Sequence, residues 1–227
     1  MSRPHSPARA HYQRVSAQQR QASTPAARAD ANAYELMLAK LTEDKRRLHD
    51  IQSFDRRAEV KRELLPEYGP WIEGVLKGDQ GVQDDVLMTV MVWCIDIGKL
   101  SLALDIGCYA IRHKLAMPDQ YKRSAGCLIA EEFADYALRQ KDGISGDVTE
   151  DLLVADKITA DEDMPDEVRA KLLKAIGYGL DQQDDKAEAI DYLRRALALH
   201  DKVGVKKDIE RLEREIKNSA PAPTGGG

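Results

Sequence analysis

The chain has 227 residues, which is enough for one or two domains with a buried core. Its 39 Asp and Glu outnumber its 34 Lys and Arg, and this net charge of −5 excludes a protein that is basic over its whole surface. Its three cysteines include no CxxC pair, which excludes a disulfide framework and a four-thiolate zinc site.

The composition predicts an all-α fold. Aromatic residues make up only 5% of the chain, whereas Ala, Leu, Glu, Lys, Arg and Gln dominate it, and these are strong helix formers. No apolar run approaches the ~18 residues of a membrane span. The first residues also contain no hydrophobic stretch that could act as a signal peptide. We therefore expect a cytosolic protein with no membrane partner.

The first predicted element is a basic, disordered arm at residues 1–29. This arm is rich in Ser, Pro and Gln and contains no acid. Such a segment suits a polyanion, because each arginine that approaches a phosphate releases counterions. The alternative is a solvated arm with no partner. Its five arginines are Arg3, Arg9, Arg14, Arg20 and Arg28.

Residues 30–65 are predicted to form a long helix. Apolar side chains recur at spacings of three, four and seven, with Phe54 on the resulting stripe, and residues 31–65 contain no Gly or Pro. At ~1.5 Å per residue such a helix would be about 50 Å long, too long for a small domain to cover. It therefore either pairs with a second copy of the chain or folds back as a hairpin near residues 50–55. We favour self-association through Leu38, Leu41, Leu48 and Ile51.

The same region carries basic side chains that extend the possible DNA contact of the arm. They alternate with acids, so the simpler interpretation is a solvated face with ion pairs one helical turn apart. These residues are Lys45, Arg46, Arg47, Arg56, Arg57, Lys61 and Arg62.

Residues 66–217 are predicted to form a helical, repeat-like core, followed by a disordered tail at 218–227. Pro66 and Pro70 should end the long helix, and the run that follows Asp84 is apolar nearly all round, which indicates a buried helix. Two hairpins, at 84–114 and 165–200, carry small residues as tetratricopeptide units do. One helix at 125–141 and an acidic connector should separate them.

Sequence motifs for enzymatic chemistry are missing. No GxxxxGK[ST] stretch and no HExxH is present, so the chain has neither a P-loop for ATP nor a zinc-protease motif. Weak candidates for Mg²⁺ ligands are Asp84 with Asp85, and Glu131 with Asp135 one helical turn apart. The simpler interpretation is that the first pair caps a helix and the second faces solvent. We expect no cofactor on this chain unless it is a nuclease, which would need Mg²⁺.

Four separated phrases resemble the terminase small subunit of contractile-tailed temperate bacteriophages, a family often labelled the terminase endonuclease subunit. They are KRELLPEYGPWIEGVL at 61–76, QDDVLMTVMVW at 83–93, MPDEVRAKL at 164–172 and GVKKDIERLEREIK at 204–217. The similarity extends over residues 8–217, nearly the whole chain.

This resemblance implies a role in DNA packaging. The small subunit of the family recognises the packaging or cohesive-end site of double-stranded viral DNA, assembles as a homo-oligomer and delivers the DNA to a large ATPase subunit. The resemblance therefore implies a location in the host cytoplasm. In other terminases cutting belongs to the large subunit, and no catalytic residue can be carried over to this chain by motif.

Three functional hypotheses remain open from the sequence. The first is an oligomeric DNA-binding adaptor that uses the basic arm. The second is a Mg²⁺-dependent endonuclease that cuts the concatemeric genome and is built on the four candidate carboxylates. The third is a repeat-type scaffold that binds proteins and has no affinity for DNA.

Overall fold

The computed structural model describes residues 25–119, 121–140 and 142–219, with only the backbone described for 25–32 and Ser219. Within these ranges all regular structure is helical, which confirms the predicted all-α fold. The helices there are α1 (Pro25–His49), α2 (Phe54–Gly78), α3 (Asp85–Asp96), α4 (Leu100–Arg112), α5 (Ala125–Leu138), α6 (Gly146–Ile158), α7 (Asp166–Gln182), α8 (Lys186–Leu199) and α9 (Lys206–Ser219).

The predicted long helix is divided in two. Helix α1 ends at His49 and α2 begins at Phe54, so the interruption falls where the hairpin alternative placed it. Ser53 is the reason for the new start, because its side chain accepts a hydrogen bond from the Arg56 amide at 3.3 Å and caps the helix. The chain also divides into two compact units between Gln52 and Ser53. The expected boundary at 65/66 therefore lies inside α2.

Helix α2 continues through Pro66 and Pro70, which were expected to break it. A proline in a helix removes one hydrogen bond and crowds the carbonyl one turn earlier. Both prolines are exposed and lie one turn apart, away from the buried face of the helix. The opposite face stays helical because Leu64 and Tyr68 are buried on it, together with Val60 and Ile72.

The core of the second unit is built around α3. Nine of its twelve residues are buried, as the apolar run predicted, and α2, α4 and α5 pack against it. Trp93 on α3 is 4% exposed and meets the Tyr68 ring of α2 edge-on at 5.7 Å, so it is a core residue of this buried helix. Helices α5 to α9 continue this body, and the most extensive packing in it is that of α7 on α8.

The region between the two predicted hairpins contains two helices, not one. Helix α5 matches the expected helix, but α6 occupies part of the stretch that was interpreted as an acidic connector. Ser145 caps α6, and Thr149, Leu152 and Ala155 form a buried stripe at three-residue spacing that the surrounding acids obscure in the sequence. The acidic connector is therefore limited to the short loop before α7.

Glycines mark two close helix contacts, only one of which lies within a predicted hairpin. At Gly177 on α7, an added Cβ would lie 2.7 Å from the Leu193 side chain of α8, so the hairpin needs glycine there. At Gly107 on α4, the neighbour is Ile129 of α5 and not a residue of α3. The two hairpins exist, but a tetratricopeptide-like array stays a prediction.

None of the helices in the described part of the chain combines the length and the apolar character that crossing a bilayer requires.

Two glycine substitutions should have opposite effects on stability. Gly74 lies in the last turns of α2 with open space around an added Cβ, so Gly74→Ala should raise the free energy of unfolding by about 0.5–1 kcal/mol. Gly177→Ala makes the same chemical change at the crowded contact and should lower it by roughly 1–3 kcal/mol. Urea unfolding followed by circular dichroism measures both, and a destabilised Gly74→Ala variant would contradict the open space found beside Gly74.

Candidate nucleic-acid interface

The arginines of the N-terminal arm fall largely outside the described residues. This applies to Arg3, Arg9, Arg14 and Arg20. Arg28 lies in α1, where only the backbone is described. Their proposed role in DNA binding therefore stays a prediction from the sequence.

A first group of described cations lies at the end of α1. Arg46 and Arg47 are exposed and Lys45 is half-buried. Arg46 donates a hydrogen bond to Glu43 at 3.0 Å, one helical turn earlier, as the ion-pair interpretation expects. The last turn of a helix carries the negative end of its dipole, which favours cations there. This pair is a weak surface contact that a phosphate can replace.

A second group of cations lies at the start of α2, and its members differ in burial and in their ion-pair partners. Arg56 binds Glu59 at 2.7 Å, and this hydrogen bond raises the pKa of Arg56 above its ordinary value. Lys61 is largely buried and forms an ion pair with Asp96 of α3, so it connects α2 to the core. Arg62 is exposed and has no ion pair within the part of the chain that the structure describes.

The remaining cation of this group, Arg57, contacts an aromatic ring. Its guanidinium lies 5.2 Å from the ring centroid of Phe54. The sequence placed Phe54 on the apolar stripe of the long helix, but the side chain is 82% exposed. The break between α1 and α2 causes this difference, because it ends the periodicity from which the stripe was inferred.

The residues predicted for self-association differ in exposure. Leu41 and Leu48 are buried, whereas Leu38 and Ile51 are half-buried. Leu36 is 72% exposed and was not in the predicted set. It could have been recognised as the leucine that lies off the apolar stripe of an otherwise amphipathic helix.

Asp84 holds the start of helix α3 in place. It is 5% exposed and caps α3, since its Oδ1 accepts a hydrogen bond from the Leu87 amide at 2.8 Å. Its Oδ2 accepts a second hydrogen bond from the Trp71 indole at 2.9 Å, which ties α2 to the start of α3. Burial raises the pKa of Asp84 above its ordinary value. The neighbouring Asp85 accepts a hydrogen bond from Gln83 at 3.2 Å.

The other two candidate carboxylates lie on α5 and bind cations. Glu131 forms an ion pair with Arg123, and Asp135 forms one with Lys171 at 3.0 Å. In the described ranges no group of three His, Cys, Asp or Glu side chains could hold a metal ion. The structure thus does not assemble Asp84, Asp85, Glu131 and Asp135 into one site.

Glu132 is a perturbed carboxylate that the sequence did not indicate. It is half-buried, and burial raises its pKa, as do the nearby charges of Asp96 and Asp135. Asp96 belongs to α3 and reaches this neighbourhood only through the packing of α3 on α5. Asp135 lies one helical turn from Glu132 and could be placed there from the sequence, but no sequence signal could have placed Asp96 beside them.

An open polar cleft of about 390 Å³ lies beside α7 and α9 and was also not predicted. Tyr178 donates a hydrogen bond to Asp208 at 3.0 Å, and burial together with this acid raises the pKa of Tyr178 to about 12. Arg211 bridges Asp181 at 2.6 Å and Glu215 at 3.1 Å. These groups satisfy one another, and they connect α7 with α9.

Replacing Asp84 should change how stability depends on pH. Because the pKa of Asp84 is raised, the folded state binds this proton more tightly than the unfolded state does. The ionised carboxylate therefore lowers the free energy of unfolding at neutral pH. This cost decreases as the pH falls toward the ordinary pKa of 3.8. The free energy of unfolding of Asp84→Asn, taken relative to that of the wild type, should therefore be higher at neutral pH than at acidic pH. Urea unfolding at several pH values measures this difference. Equal differences at both pH values would contradict this.

Asp84→Ala is the contrasting variant. It removes the cap of α3, which costs about 1 kcal/mol, and it leaves the Trp71 indole N–H without its acceptor, which costs roughly 1–3 kcal/mol more. It should be destabilised at every pH.

Comparison with known proteins identifies relatives of the chain. The family model described as "Phage small terminase subunit" matches residues 38–167. The protein named "Terminase, endonuclease subunit" of Escherichia phage P2 is 44% identical over 214 residues, which cover 93% of this chain and 86% of that protein. No solved structure matches. On this evidence the chain belongs to the phage small terminase subunit family, whose members act in phage DNA packaging.

Proposed function

We propose that this chain is the DNA-binding adaptor of a packaging terminase. It binds the packaging or cohesive-end site of double-stranded viral DNA as a homo-oligomer and presents that DNA to the large ATPase subunit in the host cytoplasm. The observation that carries the proposal is the 44% identity to a terminase subunit over nearly the whole chain. The absence of a P-loop motif from the sequence agrees with an ATPase on another subunit.

Local cations supply the phosphate contacts in this proposal. The chain as a whole is acidic, so DNA must approach regions where bases are concentrated. The arm has five arginines and no acid, and Arg46, Arg47, Arg56 and Arg62 are exposed on α1 and α2. Surface ion pairs such as that of Arg56 with Glu59 are worth little, so exchange of the acid for a phosphate is inexpensive.

Self-association would turn these weak contacts into useful affinity. Several subunits that hold one DNA molecule bind it with a high effective concentration for each further contact. The proposed contact uses α1 and the residue Ile51 that follows it. Leu36 is exposed and Leu38 and Ile51 are half-buried, whereas Leu41 and Leu48 are already buried within the single chain and would support this surface from beneath. The helical body that begins with α2 is then the part that docks the large subunit.

An endonuclease is the second candidate function, because the phage P2 relative is named an endonuclease subunit. In our proposal cleavage belongs to the assembled terminase, and Mg²⁺ is a cofactor only if this chain cuts DNA by itself. The carboxylates Asp84, Asp85, Glu131 and Asp135 already bind amides, an indole or cations, which favours structural roles for them.

Purified chain should leave duplex DNA intact when Mg²⁺ is added. The measurement is gel electrophoresis of supercoiled plasmid after incubation without the large subunit. Nicking that Asp85→Asn abolishes would replace the adaptor hypothesis by the nuclease hypothesis. Nicking that survives Asp85→Asn would indicate a contaminating nuclease.

Charge on the arm should determine how affinity for DNA depends on salt. Replacing Arg3, Arg9, Arg14 and Arg20 by Gln should weaken binding and reduce the slope of log affinity against log salt by about 0.9 for each phosphate that the arm no longer neutralises. The matched control replaces the same four residues by Lys, which keeps the charge and should keep most of the slope. Fluorescence anisotropy with a labelled duplex measures both variants.

Two results would contradict the proposal. An unchanged slope in the Gln variant removes the arm from the interface, and no binding even at low salt favours the protein-binding scaffold. Light scattering on the same samples reports the assembly state, since the monomer mass is 25.3 kDa. A monomer at high concentration would contradict the oligomeric part.

A further inference from the structure

Phe54 is an unusual surface residue. The chain has two phenylalanines; Phe133 is completely buried in α5, whereas Phe54 at the first position of α2 is 82% exposed. A large aromatic side chain normally contributes to a core or an interface, since its burial removes much apolar surface from water. The fold of the described chain gives Phe54 no such role.

The surroundings of Phe54 are cationic. Asp55 follows it directly and Arg56 and Arg57 come next; Arg56 pairs with Glu59, and the Arg57 guanidinium lies 5.2 Å from the centre of the Phe54 ring. Residues 53–62 contain four cations and two acids, within a chain of net charge −5. The ring also lies at the start of a 25-residue helix, where the positive end of the helix dipole favours an anion.

We propose that Phe54 is an apolar wedge that inserts between base pairs of duplex DNA and kinks it, while Arg56 and Arg57 bind the adjacent phosphates. An inserted apolar side chain partly unstacks one base step, and the bend brings more of the backbone to the protein. Arginine suits the flanking positions because its planar guanidinium binds phosphate in a bidentate manner. The inference rests on the proposed DNA-binding function and adds a deformation of the DNA to it.

Charge favours DNA over a protein as the occupant of this surface. Arg56 already pairs with the exposed Glu59, but an apolar protein interface would still remove the hydration of Arg56 and Arg57 without supplying a further anion. A duplex supplies both an apolar stack of bases for the ring and phosphates for the guanidinium groups. A contact between copies of the chain is the competing occupant, and the experiment below distinguishes it.

The test compares full-length wild type with Phe54→Ala, Phe54→Leu and a control, Val82→Ala. Val82 is 68% exposed in a loop between Gly81 and Gln83, so it matches the exposed apolar character without neighbouring arginines in the sequence. The DNA is a duplex containing flexible TA steps, with a dye pair at its ends to report bending by energy transfer and 2-aminopurine to report unstacking.

Wild type should bend the duplex and raise the 2-aminopurine fluorescence. Phe54→Ala should bind on the order of tenfold more weakly and lose both signals, because the stacking interaction is gone. Its salt slope should equal that of the wild type, since every cation that binds a phosphate is retained. Phe54→Leu should retain part of the bend, and Val82→Ala should behave as wild type.

Four outcomes would overturn the wedge. Equal affinity and bending in Phe54→Ala removes Phe54 from the DNA interface. A lower assembly mass for Phe54→Ala in light scattering makes the residue a contact between subunits. Wild type that binds DNA without bending it contradicts the kink but leaves the proposed function intact, whereas wild type that does not bind DNA at all refutes the proposed function as well.

Discussion

The structure of the second unit depends on covering one helix. Helix α3 is apolar nearly all round, and a helix of that kind is stable in water only if other elements enclose it. Helices α2, α4 and α5 do so, and α7 and α8 extend the body from α5. The need to bury Leu64, Tyr68 and Ile72 against this core keeps α2 helical through two prolines. Local propensity is therefore overridden by tertiary packing.

The same constraint decides which charged groups are available for function. Asp84 is used to begin α3 and to hold Trp71, and Lys61 is used to join α2 to Asp96. Glu131 and Asp135 of α5 also have cationic partners. Arg46 of α1 and Arg56 of α2, by contrast, have only exposed acids one turn away as ion-pair partners in the described chain. These are the positions from which a polyanion can displace a partner at little cost.

Phage DNA packaging fits a protein with this arrangement of charge. A mostly acidic surface avoids indiscriminate adsorption of DNA, and a few basic segments restrict where the duplex can lie. Such contacts are individually weak, which is why the proposed function requires several copies of the chain on one DNA molecule. An aromatic wedge would add a contact that does not weaken with salt, since it depends on stacking with bases.

Many residues of the candidate site could be predicted from the sequence, but the contacts that their side chains make in the fold could not. The cations of α1 and α2 were recognisable from spacing and charge, and so was the cap formed by Asp84. The burial of Leu41, the ion pair of Lys61 with Asp96 and the raised pKa of Glu132 were not. The ion pair and the raised pKa need residues far apart in the sequence to be brought together by packing, a process that leaves no local pattern.

The sequence by itself determined the helical class, the buried character of α3 and the family, because composition, periodicity and preserved phrases are all local properties. The break between α1 and α2 follows from the local cap at Ser53, but tertiary structure alone decided that α2 crosses two prolines, that α6 is a helix and that Phe54 is exposed. Each of these depends on which face another element covers. That is a property of packing between distant segments, and single-chain periodicity does not encode it.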